Sequence, residues 1–77
     1  MEIKLGQKVR VRENLEEILK GSMRIDAVIK EMSKSAGKER VVKDVFINYL
    51  DEPVIDLVDD EGVSNGFAYY ISFLEEI

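Results

Sequence analysis

The sequence predicts a mainly β, α+β fold: a small barrel or strongly bent antiparallel sheet of four to five strands with one short helix. Three observations predict it. Gln7 to Arg12 alternate strictly between polar and apolar, which is the signature of a half-buried strand. Ile25, Val28, Ile29, Met32 and Ala36 recur at spacings of three and four, which puts them on one helical stripe. Beyond Gly37 the chain breaks into short runs of branched and aromatic residues separated by turn residues. Short antiparallel strands around a thin core curl or close, and a lone helix plugs one open end. With 77 residues, the chain is expected to form a single domain spanning 1–77.

The elements follow in order. In the first strand Val9 and Val11 face inward, while Lys8, Arg10 and Arg12 face out as a basic ladder; Gly6 before it reads as a turn. Residues 13–21 read as a short helical turn or an ordered loop. Asn14 with Glu17 three later fits a capping box, and Leu15, Ile18 and Leu19 share a face that Gly21 ends. Residues 25–36 form the one clear helix, about three turns long. Asp26 and Lys30 are spaced as an i,i+4 pair on its wet side, and Gly37 stands where a left-handed C′ residue belongs. Residues 40–49 read as a strand whose alternation fails at Lys43-Asp44, predicting a bulge. Asp51-Glu52-Pro53 marks a turn, Val54–Val58 a strand, Asp59–Gly62 an acidic hairpin turn, and Asn65-Gly66 a second turn. Phe67–Ile71 is the last substantial strand, with Phe67, Tyr69 and Ile71 on one face. Residues 72–77 close the chain as a single 3₁₀ turn with Phe73 and Leu74 tucked inward.

Composition narrows the function. Apolar residues at 45% and charged residues at 35% suit a globular domain. The chain has no Cys, His or Trp, so disulfides, thiolate and imidazole metal sites and the commonest general base are all absent. Ser33, Lys34, Ser35 and Lys38 lie together, but at a helix end this is solvated capping chemistry. The expectation is a non-enzymatic protein without a cofactor. No apolar run approaches the ~20 residues of a membrane helix. The opening Met-Glu-Ile-Lys-Leu has no apolar h-region, so the expected location is cytoplasmic.

Charge is segregated along the chain. All 11 Lys and Arg lie at or before Lys43, and none follows, against a formal net charge of −5. A fold that kept this split would carry one basic and one acidic surface and would steer charged partners.

Three segments in order carry a resemblance. LGQKVRVRENL at Leu5–Leu15, IDAVIKEMSKSAGKERVVKDV at Ile25–Val45 and FAYYISFLEE at Phe67–Glu76 resemble the opening strand, helix with A-G-K, and closing aromatic strand of phage and prophage small SH3-like β-barrels. The family's pattern has Asp where Gln7 stands and Trp where Phe67 and Tyr69 stand, and its loop at 59–66 is shorter. The resemblance implies the SH3-like fold, a phage-type origin with a host-cytosol location, and a recognition role without activity.

The candidate surfaces follow. The protein-binding face is expected at Asp56, Asp59, Asp60 and Glu61 with Tyr49 or Tyr70 as aromatic anchor. The same acidic tract invites a calcium reading, but its spacing does not match a calcium loop. It also fits carboxylate mimicry of a nucleic-acid backbone by a small inhibitor of a host protein. A nucleic-acid alternative uses Lys8, Arg10 and Arg12, joined by Lys4, Lys34 and Lys38, as phosphate contacts. Against it stands an overall acidic composition, with a sequence pI of about 4.7. A third reading is a self-assembling subunit whose basic and acidic regions pair head to tail as a homo-oligomer.

Overall fold

A computed structural model describes residues 2–77. Met1, the first residue of the segment read as lacking a leader, lies outside them. The elements are β1 (Lys8–Val11), α1 (Leu15–Lys20), α2 (Asp26–Ser33), β2 (Glu39–Ile47), β3 (Pro53–Val58), β4 (Ser64–Tyr70), a 3₁₀ turn at Ile71–Phe73, and β5 (Leu74–Glu76). The five strands form one antiparallel open sheet in the order β4-β3-β2-β1-β5. The expected mainly β architecture is present, with two short helices in place of one.

The sheet's inner face and the two helices enclose the core. Val9 and Val11 from β1, Leu15 and Leu19 from α1, Ile29 and Met32 from α2, Val42, Ile55, Leu57 and Tyr69 from the middle strands, and Phe73 and Leu74 from the closing segment form one buried cluster. The opening valine strand and Tyr69 therefore share a core, although β1 and β4 never pair. β1 is an interior strand, bonded to β2 on one side and to β5 on the other.

The segment at 13–21 resolves as a true helix. Leu15 and Leu19, one turn apart, are fully buried, Glu16 and Glu17 sit in the first turn and Lys20 in the last, an arrangement that complements the helix dipole. The expected capping box does not form. Asn14 adopts φ −89°, ψ 24°, outside the extended region a capping side chain needs, and makes no side-chain cap bond.

α2 is shorter than its stripe. Ile25 is the N-cap, in extended conformation, so it lies outside the helix and is exposed rather than buried. The expected Asp26–Lys30 pair is absent among the described residues; Lys34 pairs with Glu31 at 2.9 Å instead. After Ser33 the chain continues in tight turns to Gly37, whose φ of +76° is left-handed as expected but falls past the C-cap, Lys34. There Gly37 donates its N–H to Val11 O at 2.8 Å and starts the return into the sheet.

A bulge interrupts β2–β3 pairing between Val42 and Asp44, where alternation fails. Asn65-Gly66 is no turn. It lies within β4, with Gly66 at φ +82°, and shifts the register against β3 between Asp56 and Val58. Gly66 supplies the positive φ at this irregularity. Residues 71–77 supply a 3₁₀ turn and also a strand. Val9 pairs with Glu76 and Val11 with Leu74.

One buried polar network ties helix to sheet. Ser35 Oγ donates to Met32 O at 2.7 Å, so the 2.8 Å contact with Tyr69 is a donation from the Tyr69 hydroxyl to Ser35 Oγ. Asn65 Nδ2 in turn donates to the Tyr69 hydroxyl at 2.7 Å. No helix among the described residues is long and apolar enough to cross a membrane.

Two predictions test this packing by urea denaturation. Leu19→Ala should cost about 2–5 kcal/mol, because it empties a fully enclosed site. Tyr69→Phe should cost only about 1 kcal/mol, since Ser35 keeps its bond to Met32 and Asn65 turns to solvent.

Candidate functional site

Two hairpin turns lie at opposite ends of β3, and they are built alike. In the first, Asn48 Oδ1 accepts the N–H groups of Leu50 and Glu52 at 2.9 Å each, and Asp51 N–H reaches Asn48 O at 3.0 Å. In the second, Asp59 Oδ1 accepts from Glu61 and Val63 at 2.9 Å each, and Gly62 N–H reaches Asp59 O at 3.0 Å. An Asx side chain opens each turn and a left-handed residue closes it, Asp51 at φ +63° and Gly62 at φ +80°.

The tips differ in chemistry. The second presents Asp60 and Glu61, as a solvated turn should. The first presents Tyr49 and Leu50, whose positions at the turn point outward and cannot be covered by their own hairpin. Tyr49 is 93% and Leu50 58% exposed. The adjoining end of β2 adds Phe46 at 53% and Ile47 at 62%. Four large apolar side chains within five positions thus face solvent at one end of the molecule. Asp51 and Glu52 follow them directly in the same turn.

Contacts extend this end across the sheet. Phe46 pairs with Val54, and Val54 with Tyr70. The Arg24 guanidinium lies 5.7 Å from the Tyr70 ring centre and 5.4 Å from that of Phe73. Tyr70 and Phe73 meet edge to face at 5.5 Å. Arg24 thereby anchors the α1–α2 connection, with exposed Met23 and Ile25 on either side of it, to the end of β4 nearest the apolar turn.

The expected protein-binding residues are therefore divided. Tyr49 sits at one end of β3, while Asp59, Asp60 and Glu61 sit at the other. Six strand residues separate them, roughly 20 Å at strand rise. Tyr70 is half-buried and engaged by Arg24 and Phe73. Asp56 lies mid-strand, where its Oδ1 accepts from Ser64 Oγ at 2.7 Å, and it pairs in register with Asp44 on β2. Sequence reasoning missed Phe46, Ile47 and Leu50, since branched and aromatic residues in a strand read as core. The available signal was Asn48, which stands to Tyr49-Leu50 as Asp59 stands to Asp60-Glu61.

The basic ladder is locally neutralised. Lys8 and Arg10 both lie 3.8 Å from Glu39, and Arg12 lies 3.8 Å from Glu75 while its Nε donates to Ser72 O at 3.0 Å. Exposed pairs of this kind contribute less than about 1 kcal/mol each. They nevertheless interleave the charges, so β1 does not present an undivided cationic face. Between the end of α2 and strands β2–β4, a cleft of about 210 Å³ is lined by residues including Glu31, Lys34, Arg40, Asp59, Asn65 and Tyr69. The Ser35 and Tyr69 hydroxyls there each already donate and accept a hydrogen bond, and Lys34 is held by Glu31. Among the described residues, no three carboxylates are placed to hold a metal ion.

The hydrogen bond from Val63 N–H holds the Asp59 carboxyl below its ordinary value of 3.8, with Glu61 N–H and the Arg40 charge acting in the same direction and desolvation opposing. A lowered folded-state pKa stabilises the fold above the unfolded value, and that contribution is lost as pH falls through the folded one. Asp59→Asn keeps the acceptor and removes the charge. Its stability deficit against wild type should be full near neutral pH and close below the ordinary Asp value, as read from urea titrations across the acid range. Asp51→Gly should instead stabilise by about 0.5–1 kcal/mol, relieving a left-handed side-chain conformation.

Comparison with models of known protein families, with curated proteins and with solved structures finds no match to this chain.

Proposed function

We propose that this chain is a small, non-enzymatic protein-recognition module of the cytoplasm whose contact surface is the β2–β3 end, centred on Tyr49 and Leu50. The observation that carries the reading is the placement of two large apolar side chains at the tip of a tight turn. The homologous tip on the other hairpin is acidic, so the turn architecture itself does not demand them. Tyr is among the few side-chain types that carry most of the affinity in protein interfaces. Asp51 and Glu52 beside them, and Asp44 and Asp56 paired on the adjoining strands, favour a partner with an apolar pocket rimmed by Lys or Arg. The resemblance to phage-type SH3-like barrels supports a recognition role against a host protein.

The acidic hairpin at Asp59–Gly62 is a secondary contributor in this reading, because it lies at the far end of β3. The nucleic-acid alternative is disfavoured by the carboxylates that pair with Lys8, Arg10 and Arg12.

The test uses the protein as bait in bacterial cytosolic lysate, followed by affinity measurement with the purified partner. Combined Tyr49→Ser and Leu50→Ser should weaken binding by about 2 kcal/mol or more, while Lys8→Glu with Arg10→Glu should leave it nearly unchanged. Binding that survives the first pair, or oligonucleotide binding at low salt abolished by Arg10→Glu with Arg12→Glu, overturns the proposal.

A further inference from the structure

The far half of β2 has an unpaired edge. β1 pairs with β2 only from Glu39 to Val41, and the last bonds on that side join Val42 to Gln7 and Gly6. From Lys43 to Ile47, β2 carries β3 on one side and, among the described residues, no strand on the other.

Hydrogen-bond parity shows which groups face that gap. Asn48 N–H bonds to Glu52 O, so Asn48 and Glu52 are a hydrogen-bonded pair. Antiparallel ladders alternate, which makes Phe46 with Val54 and Asp44 with Asp56 the next hydrogen-bonded pairs. The N–H and C=O groups of Val45 and Ile47 therefore point away from β3, into the open edge. One of these groups is occupied locally: Val45 N–H donates to Asp44 Oδ1 at 2.9 Å. This is how a strand edge without a neighbour satisfies a donor. The other free edges offer less. β5 is three residues long, and β4 is broken by the Gly66 bulge.

We propose that a second copy of this chain pairs antiparallel with this edge about a two-fold axis at Phe46. The inference goes beyond the recognition tip and uses the strand leading to it. In this register Val45 and the second copy's Ile47 exchange both backbone hydrogen bonds, as do Ile47 and the second copy's Val45, once Asp44 swings off the Val45 amide. Phe46 meets its own counterpart as a close, non-hydrogen-bonded aromatic pair on the outer face.

The charges fit this occupant. Asp44 falls opposite Asn48, and Lys43 falls opposite Tyr49, so no like charges stand directly across the axis. Lys43, which is exposed, is brought against the turn that carries the second copy's Asp51 and Glu52. Moving the two-fold axis one residue, to Val45, would set Asp44 against Phe46 and lose the aromatic pair. Antiparallel pairing also sends the two Tyr49–Leu50 tips to opposite ends of the joined strands. The dimer would then offer two recognition tips, and a partner with repeated sites would bind it with added avidity.

Sedimentation equilibrium over a wide concentration range is the primary test, and reversible dimer formation by wild type is the expected result. Ile47→Pro removes a donor that makes no bond to β3, so the fold survives while the dimer weakens about 10- to 100-fold. Circular dichroism and urea denaturation verify that this variant is folded. Because the chain has no cysteine, Phe46→Cys introduces a single thiol at the axis, and mild oxidation should yield a disulfide-linked dimer in high yield. Val63→Cys, exposed at the far hairpin, should not. A wild type that stays monomeric at every concentration, a dimer indifferent to folded Ile47→Pro, or equal cross-linking at 46 and 63 overturns the self-pairing. Each of these results leaves the Tyr49–Leu50 binding test to decide the recognition reading separately.

Discussion

Strand β1 is bonded along both edges, and the rest of the molecule is arranged around that fact. On one side it pairs with β2 and on the other with β5, while Val9 and Val11 project into the centre of the core. Four residues thereby join the amino-terminal helical excursion to the far end of the chain. The helices depend on the same strand: Gly37 donates to Val11 O as the chain comes back from α2. The Ser35–Tyr69–Asn65 network then fixes the end of α2 over the opposite half of the sheet. The backbone bonds flanking β1, from Gly6 N–H to Val42 O and from Arg12 N–H to Phe73 O, extend the same seam.

What could be read directly from the residues was whatever depends on nearest neighbours. Alternation at 7–12 gave β1 and its buried valines, and the break in alternation at Lys43-Asp44 marked the bulge. Capping and pairing details were less legible, because they depend on backbone angles set by tertiary contacts. Asn14 has the right side chain for a cap and the wrong dihedrals. Ile25 has the right spacing for the core but belongs to the residue that starts the helix. Gly66 carries the positive φ that its turn signal implies, yet the neighbouring strand converts the turn into a bulge. The functional surface was the least legible part. Tyr49 was visible as an aromatic with uncertain burial, but its separation from Asp59–Glu61 is set by the length of β3. Phe46 and Ile47 look like core residues until β1 is found to end short of them.

The charge pattern teaches a related lesson. Along the sequence, every base lies at or before Lys43, while acids run throughout. In space, antiparallel pairing brings Glu39 beside Lys8 and Arg10, Glu75 beside Arg12, and Arg40 toward Asp59. Glu39 already lies on the base-containing side of that boundary, and the contacts that cross it are those of Arg12 with Glu75 and of Arg40 with Asp59. What stays distinct is the apolar turn at Tyr49–Leu50, where no base follows in sequence and no ion pair forms across the sheet.

The pairing of β1 with β5 has a consequence for biosynthesis. The bond from Arg12 to the Ser72 carbonyl spans 60 positions, and the β5 register lies beyond it. Residues through Glu76 must therefore have left the ribosomal exit tunnel before β1 acquires its second neighbour. Until then the valine-rich segment waits with one side open, which makes completion of the fold a late event governed by slow, non-local closure.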